Sequence, residues 1–324
     1  MDNHTSIKYF NILAFSSKTE KQPLLSITFM IIYLIGVLAN TSLILVSVLD
    51  TYLQTPMYFF LRNLSFVDII FTTITLPKLI NILWMGINTI SFIQCFIQVF
   101  FFVFMASTDD ILLSCMAYDR YIAICYPLHY HILMNWKKAV SLLGGIWVMG
   151  CANGLITSLF VSNLSFCESR MIQNFYCDIK ALSKIACTPN GLQIFIYLET
   201  LSLGLGPFLV SLTSYIKIIG VVLQIQSPEG KRKAFSTCTS HLTVLTIFYG
   251  SILLQYTMPP LEKVHFLDKI FTVLYTALTP MLNPIIYSLR NKEVKSAMLR
   301  QVNRLSFNNK HNRYQMGGAV LGKL

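Results

Sequence analysis

Seven stretches with few or no charged residues, 24–49, 57–77, 91–108, 139–162, 200–216, 234–258 and 270–289, set what this chain can fold into. Once helical extensions are allowed for, each is near the ~20 residues that a helix needs to cross a bilayer. Composition agrees: 54% of the 324 residues are apolar and only 12% charged, against about 25% charged in a soluble domain. Asp68 lies inside the second run, and Glu199 sits at the outer end of the fifth. The expected fold is an all-α membrane protein, a seven-transmembrane helix bundle with a short amphipathic eighth helix. Residues 1–23 read as a polar extracellular tail, 24–290 as the membrane domain, 291–305 as a helix on the membrane surface, and 306–324 as a disordered cytoplasmic tail. No internal repeat and no separate soluble domain is visible.

Charge sets the orientation. With the N-terminus outside, Lys and Arg divide as 16 on the cytoplasmic side and 9 outside. The basic excess is then inner-leaflet charge, and no nucleic-acid surface is implied. Lys18 and Lys21 before the first span disagree locally, since 50–56 after it holds no Lys or Arg; Lys231, Arg232, Lys233 and the basic tail outweigh them. Residues 1–23 lack an apolar core, so the first span is expected to act as the insertion signal. Asn3 opens an Asn-His-Thr acceptor for N-glycosylation in the outer tail. Cys95, Cys167, Cys177 and Cys187 all fall on the outer side, an even number in an oxidising compartment, and the spacing leaves three pairings open. The 163–192 segment between spans 4 and 5 is the longest loop and reads as a lid or a binding surface.

The third run closes on Met116-Ala-Tyr-Asp-Arg-Tyr-Ile-Ala-Ile-Cys125, with Asp119 and Arg120 where it meets water. A charged pair there is either a boundary marker with a snorkelling Arg or a latch. At ~100° per residue, Phe102, Asp109 and Arg120 fall within roughly 20° of one line, as in a helix at the centre of a bundle. Asn40, Asn63 and Asp68 are polar groups in lipid that face other helices. Pro77 and Lys78 end the clean part of the second span. Pro284 removes a helical hydrogen bond, and a neighbouring Asn or a water must satisfy the carbonyl it frees. Lys292, Lys295, Arg300 and Arg304, set against Val294, Ala297, Met298, Val302 and Leu305, make the 291–305 segment amphipathic.

Together these pieces resemble the rhodopsin-like G-protein-coupled receptors, and within them the odorant receptors, from roughly Leu24 to Leu305. The marks are Thr55-Pro-Met-Tyr-Phe-Phe-Leu61, the Met116–Cys125 stretch, Lys233-Ala-Phe-Ser-Thr-Cys238 with Ser240-His241-Leu242, Phe248-Tyr-Gly250, and Pro280-Met-Leu-Asn-Pro-Ile-Ile-Tyr287. The resemblance implies a receptor, not an enzyme. Its partners would be a small volatile odorant, a heterotrimeric G protein and membrane lipids, and it would sit in the plasma membrane as a multi-pass protein. It also implies a latch at Asp119, Arg120 and Tyr121. Tyr215, Lys231, Lys233, Tyr249, Asn283, Pro284 and Tyr287 would act in activation and G-protein coupling. Cys95 would bind Cys177, and Cys167 would bind Cys187. Asp109 stands where the family usually carries a glutamate. Asp68 and Asp109, with Asn283, form a candidate sodium site; the alternative is a buried acid pair that shares a proton. No other cofactor is implied.

The matching ligand positions are Phe102, Val103, Ala106 and Ser107 on the third helix and Glu199 and Leu203 on the fifth. Ile252 and Tyr256 follow on the sixth, and Val273 and Thr276 on the seventh. This mostly apolar lining with a few hydroxyls suits a small, weakly polar molecule. Ser107 and Tyr256 are placed to direct a ligand hydroxyl or carbonyl; Glu199 recognises an amine or faces the lid. No Lys lies between Phe271 and Leu289, which excludes a retinal Schiff base there, and Phe102 replaces the aspartate of amine receptors. No nucleophile with its base, phosphate loop or zinc cluster is recognisable. The rival readings are a receptor for a lipid or peptide, and a channel or transporter. The lack of repeats and of charged rings opposes the latter.

Overall fold

The computed structural model describes residues 8–15, 22–167, 170–187, 189–257 and 265–304. Long helices dominate: α1 (Gln22–Leu49), α2 (Pro56–Met85), α3 (Phe92–Cys125) and α4 (Trp136–Ser162). α5 runs as Pro189–Glu199, a π turn Thr200–Gly204, and Leu205–Gln224. α6 is Pro228–Thr257. α7 runs as His265–Val273, a π turn Leu274–Leu278, and Thr279–Arg290. α8 covers 292–304. Six of these helices are long and apolar enough to cross a membrane; α6, bent by 42° between Pro228–Ser236 and Cys238–Leu254, brings the number to seven. No Pro or Gly sits at that bend. Thr239 and Thr243 instead turn their hydroxyls onto the carbonyls of Phe235 and Thr239, at 2.6 and 2.7 Å, back-bonding of the kind that bends helices.

α3 is central, buried over most of its length, and it contacts α2, α4 and α5 extensively. Its approach to α4 depends on glycine. A Cβ on Gly154 would stand 2.8 Å from the carbonyl oxygen of Phe100, so the Gly150–Gly154 pair lets the two backbones close as small residues do between membrane helices. α1 joins α7 through Asn40, whose Nδ2 donates to the carbonyls of Gly36 and Pro280, both at 3.0 Å. Pro280 O is the acceptor that Pro284 leaves empty, so the neighbouring Asn expected to fill it is Asn40.

The structure extends two readings along the chain. The clean apolar run ends at Pro77 and Lys78, but α2 itself continues to Met85 and stops at Gly86, whose φ of 72° is the left-handed conformation that favours glycine. The outer tail is not wholly a loose polar segment. Tyr9–Ile12 forms β1, which pairs antiparallel with β2 (Thr89–Ser91) and parallel with β3 (Met171–Ile172), in the order β2-β1-β3. Phe10, Ile12 and Ala14 alternate inward and are buried among the outer ends of the helices, as the period of two of a strand demands. Asn3, the 306–324 tail and Leu305 lie outside the described residues.

Candidate functional site

The outer end is tied together covalently. Cys95 pairs with Cys177 and Cys167 with Cys187, at Cα separations of 5.5 and 5.1 Å. Ser91 and Gln94 form a capping box at the start of α3, which fixes the helix end that carries Cys95. Gln98, one turn further, accepts from the Cys177 N–H at 2.9 Å and donates to the Ile74 carbonyl at 2.8 Å. The loop after α4 is therefore clamped to α3 by a disulfide and a side-chain bridge. Burial raises the Asp178 carboxyl above its ordinary value, against the pull of Lys180 and two backbone N–H groups.

Below this lid, Phe102 is enclosed by Phe71, Tyr176 and Tyr275, with ring centroids at 4.9, 4.7 and 6.4 Å. Val103 and Val273 pack in the same outer cluster; Ala106 and Ile252 join the central one. Leu203 is half-buried on the π turn of α5. Thr276 is buried, but its hydroxyl donates to Thr272 of its own helix at 2.8 Å, which removes it as a free donor. The side chain of Tyr256 lies outside the described residues.

Glu199 turns toward α4. Its Oε1 accepts from Asn153 Nδ2 at 2.9 Å and from Thr157 Oγ1 at 3.4 Å, both on α4, so it does not face the lid. The same Asn153 nitrogen donates to Ser107 Oγ at 2.9 Å. A polar bridge thus runs from α3 through α4 to α5. Asn153 and Thr157 carry no signal of their own in the sequence, being single polar residues in an apolar run. Beyond that, an amide within a span, such as Asn40 or Asn153, points toward another helix without saying which.

Midway down, Asn283 Nδ2 donates to both oxygens of Asp68, at 3.3 and 3.1 Å. Asp110 accepts from the Tyr249 hydroxyl at 2.7 Å. Asp109 Oδ1 is buried and has no hydrogen-bond partner among the described residues. Among the described residues no group of three or more His, Cys, Asp or Glu is arranged to hold a metal. An ion between Asp68 and Asp109 would rest on two carboxylates and the Asn283 amide, and the orphaned Asp109 oxygen fits such a donor set.

At the inner end Asp119 is fully buried and accepts from Tyr130 at 2.8 Å, with an Arg120 nitrogen 3.6 Å from its other oxygen. Burial and the adjacent Asp119 push the Tyr130 phenol up, so it stays a donor. Arg120 also lines a polar cleft of about 400 Å³ with Tyr58, Glu229, Arg232, Ser236, Asn291, Lys292 and Glu293. Tyr58 closes its far side by donating to Glu293 at 2.6 Å. Tyr215 meets His241 at 2.8 Å across α5 and α6. These two helices also border an apolar cleft of about 390 Å³ that includes Tyr215, Phe235 and Cys238. Tyr287 is buried with its hydroxyl unpartnered among the described residues. Tyr121 meets Tyr126 edge-to-face and Tyr118 at a tilt, with the Lys217 ammonium over its ring. Lys231 is half-buried at the start of α6, and the side chain of Lys233 lies outside the described residues.

A bundle of this kind, with a lidded outer end, buried acids at mid-depth and a charged inner cleft, is the architecture of a G-protein-coupled receptor. A family model described as olfactory receptor matches residues 29–304. Olfactory receptor 1G1 of Gorilla gorilla gorilla is 42% identical over 301 residues, covering 93% of this chain and 96% of that protein. Olfactory receptor 1J1 of Homo sapiens is 41% identical over 304 residues, 94% of each chain. Olfactory receptor-like protein OLF4 of Canis lupus familiaris is 42% identical over 299 residues, 92% of this chain and 97% of that protein. The chain belongs to the olfactory receptor family. It is a multi-pass plasma-membrane receptor of the G-protein-coupled type and not an enzyme.

Proposed function

We propose that the outer half of the bundle, between α3, α5, α6 and α7, binds a small and mostly apolar odorant. Phe102, Val103, Ala106, Ser107, Glu199, Leu203, Ile252, Tyr256, Val273 and Thr276 form the lining. Occupancy favours a state in which the inner end of α6 swings outward and a stimulatory G protein is engaged, which raises cAMP. The N-terminus lies outside the cell and the C-terminus in the cytoplasm.

The observation that carries this reading is the inner end. Arg120 lines a cleft of about 400 Å³ bordered by α6 and α8, while its neighbour Asp119 is fully buried and bound to Tyr130. A buried carboxylate with one hydroxyl and one guanidinium partner is costly to leave unmatched, so losing the Arg120 contact without a replacement is strongly unfavourable. To move from ~1% to ~99% active, a ligand and the G protein together must prefer the open state by about 5.5 kcal/mol. Tyr121, Tyr215, Lys231, Lys233, Tyr249, Asn283, Pro284 and Tyr287 act in that rearrangement. The test is Arg120→Ala in cells where surface expression is normal. Odorant-driven cAMP is expected to disappear; cAMP retained at the wild-type level removes Arg120 from the mechanism.

Asp68, Asp109 and Asn283 hold a sodium ion in the resting state, the reading that the orphaned Asp109 oxygen supports. Thermal stability of the purified receptor is expected to rise in sodium over lithium or choline at equal ionic strength. Equal stability in the three salts would instead mean that the acids share a proton.

A further inference from the structure

The polar bridge between α3, α4 and α5 leaves two valences open, and they are complementary. Asn153 uses one amide nitrogen for both contacts, donating to Ser107 Oγ and to Glu199 Oε1, each at 2.9 Å. An amide nitrogen carries two hydrogens, so Asn153 is saturated as a donor. Ser107 is thereby an acceptor in its described contact, and its own hydroxyl hydrogen has no acceptor among the described residues. Ser107 itself is buried, at 8% exposure. Glu199 takes both Asn153 and Thr157 on Oε1, leaving Oε2 without a donor among the described residues. Glu199 is only partly buried and its Oε2 is not among the buried unpartnered atoms, so that oxygen stays open to a donor from outside the cluster. Here the donor and the acceptor are held near one rigid amide, on three helices, with Glu199 at the residue preceding a π turn. Such turns are frequent at functional sites.

We infer that the ligand of this receptor carries a hydroxyl group, which accepts from Ser107 and donates to Glu199, with Asn153 as the positioning residue that fixes both. This rests on the outer-bundle ligand site proposed above. A hydroxyl satisfies both open valences with a single oxygen. An aldehyde or ether oxygen accepts from Ser107 but offers nothing to Glu199. An ammonium donates to Glu199 but has no lone pair for Ser107. The apolar remainder of the molecule lies against the Val103, Ala106 and Phe102 side of α3. A site that hydrogen-bonds a ligand hydroxyl rejects analogues that lack it, because its own groups are then left unpaired.

The experiment uses the full-length receptor in reporter cells with surface expression measured for every variant. The probes are straight-chain alcohols from hexanol to decanol with the matched aldehydes, methyl ethers and primary amines, and a set of phenols with their methyl ethers. Alcohols or phenols are expected to be about tenfold more potent than their hydroxyl-free analogues. Ser107→Ala should weaken alcohols and aldehydes alike by about tenfold. Glu199→Gln should weaken alcohols by a similar factor and leave aldehydes unchanged, a split that a purely structural role would not produce. Responses to aldehydes, ethers or amines as strong as those to alcohols overturn the inference and leave the outer site standing. Equal loss on all probes in Glu199→Gln at normal surface expression also overturns it. A well-expressed receptor silent to the whole panel counts against the outer site itself, and this inference falls with it.

Discussion

Asn40 donates to two carbonyls with one amide nitrogen, and one of them, Pro280 O, is an orphan because Pro284 has no N–H. Asn40→Ala strands that carbonyl in an apolar interior, and a loss of about 1–3 kcal/mol is expected in thermal or denaturant unfolding of the purified protein. Pro284→Ala restores an N–H to the helix, so the double variant should lose less than the two single changes together; strict additivity would sink the coupling. Asp50 gives the pH counterpart. Its carboxylate accepts from Arg300 Nε and a second guanidinium nitrogen, at 2.8 and 2.9 Å, and that pairing holds its pKa below the ordinary 3.8. A lowered folded value contributes stability that is present above the ordinary value and lost as the pH falls through the folded one. Arg300 is 38% exposed on its side chain, so solvent screening keeps the contribution of the pair small. Melting temperatures are expected to fall below pH 4 in the wild type and to show a shallower fall in Asp50→Asn. The need for a partner at Pro284 was legible in the sequence, since a missing N–H is a property of one residue. Which Asn supplied it was not, because Asn40 lies 240 positions away.

At the scale of elements, α3 and α4 meet through a glycine pair and α6 bends at a run of hydroxyls. Gly154→Ala places a Cβ 2.8 Å from a backbone oxygen that cannot swing aside; overpacking of this kind costs typically 1–3 kcal/mol. Gly144 is on the same helix with nothing within 4 Å of an added Cβ, so Gly144→Ala should be neutral or slightly stabilising through helix propensity alone. Surface expression and melting temperature of the two variants separate packing from propensity, and equal losses would mean that the α3–α4 approach is not what glycine permits. The spans themselves were readable because hydropathy needs no knowledge of neighbours. The small outer sheet was not. β1 is a four-residue strand, Tyr9–Ile12, inside what composition marks as a polar tail, and both its partners lie far along the chain. Strand pairing is a non-local event that a four-residue window cannot display.

At the scale of the whole molecule, charge and cysteine placement imply one orientation. An epitope tag on the N-terminus is expected to be labelled on intact cells and a C-terminal tag only after permeabilisation; the reverse pattern inverts the topology and every inner-end role with it. The outer end is organised by two disulfides, the Gln98 bridge and the strand sheet, and Lys269 Nζ adds a hydrogen bond to the Leu13 carbonyl at 2.9 Å. The inner end is organised by ion pairs and tyrosines at Asp119, Arg120, Tyr58 and Asp50. One end is held covalently and the other by exchangeable polar contacts.

Seven lipid-length runs, the basic inner loops and the outer cysteines determined the class of fold from the chain alone, because transfer into a bilayer is summed residue by residue along a helix. The family motifs went further and singled out Asp119, Arg120, Asn283 and Tyr287. Only the folded bundle decided that Glu199 turns to Asn153 and away from the lid, that Asn40 answers Pro284, and that the N-terminal strand roofs the outer end. Those outcomes depend on which helix faces which, and on directional hydrogen bonds across tens to hundreds of residues, information that exists only once the chain is packed.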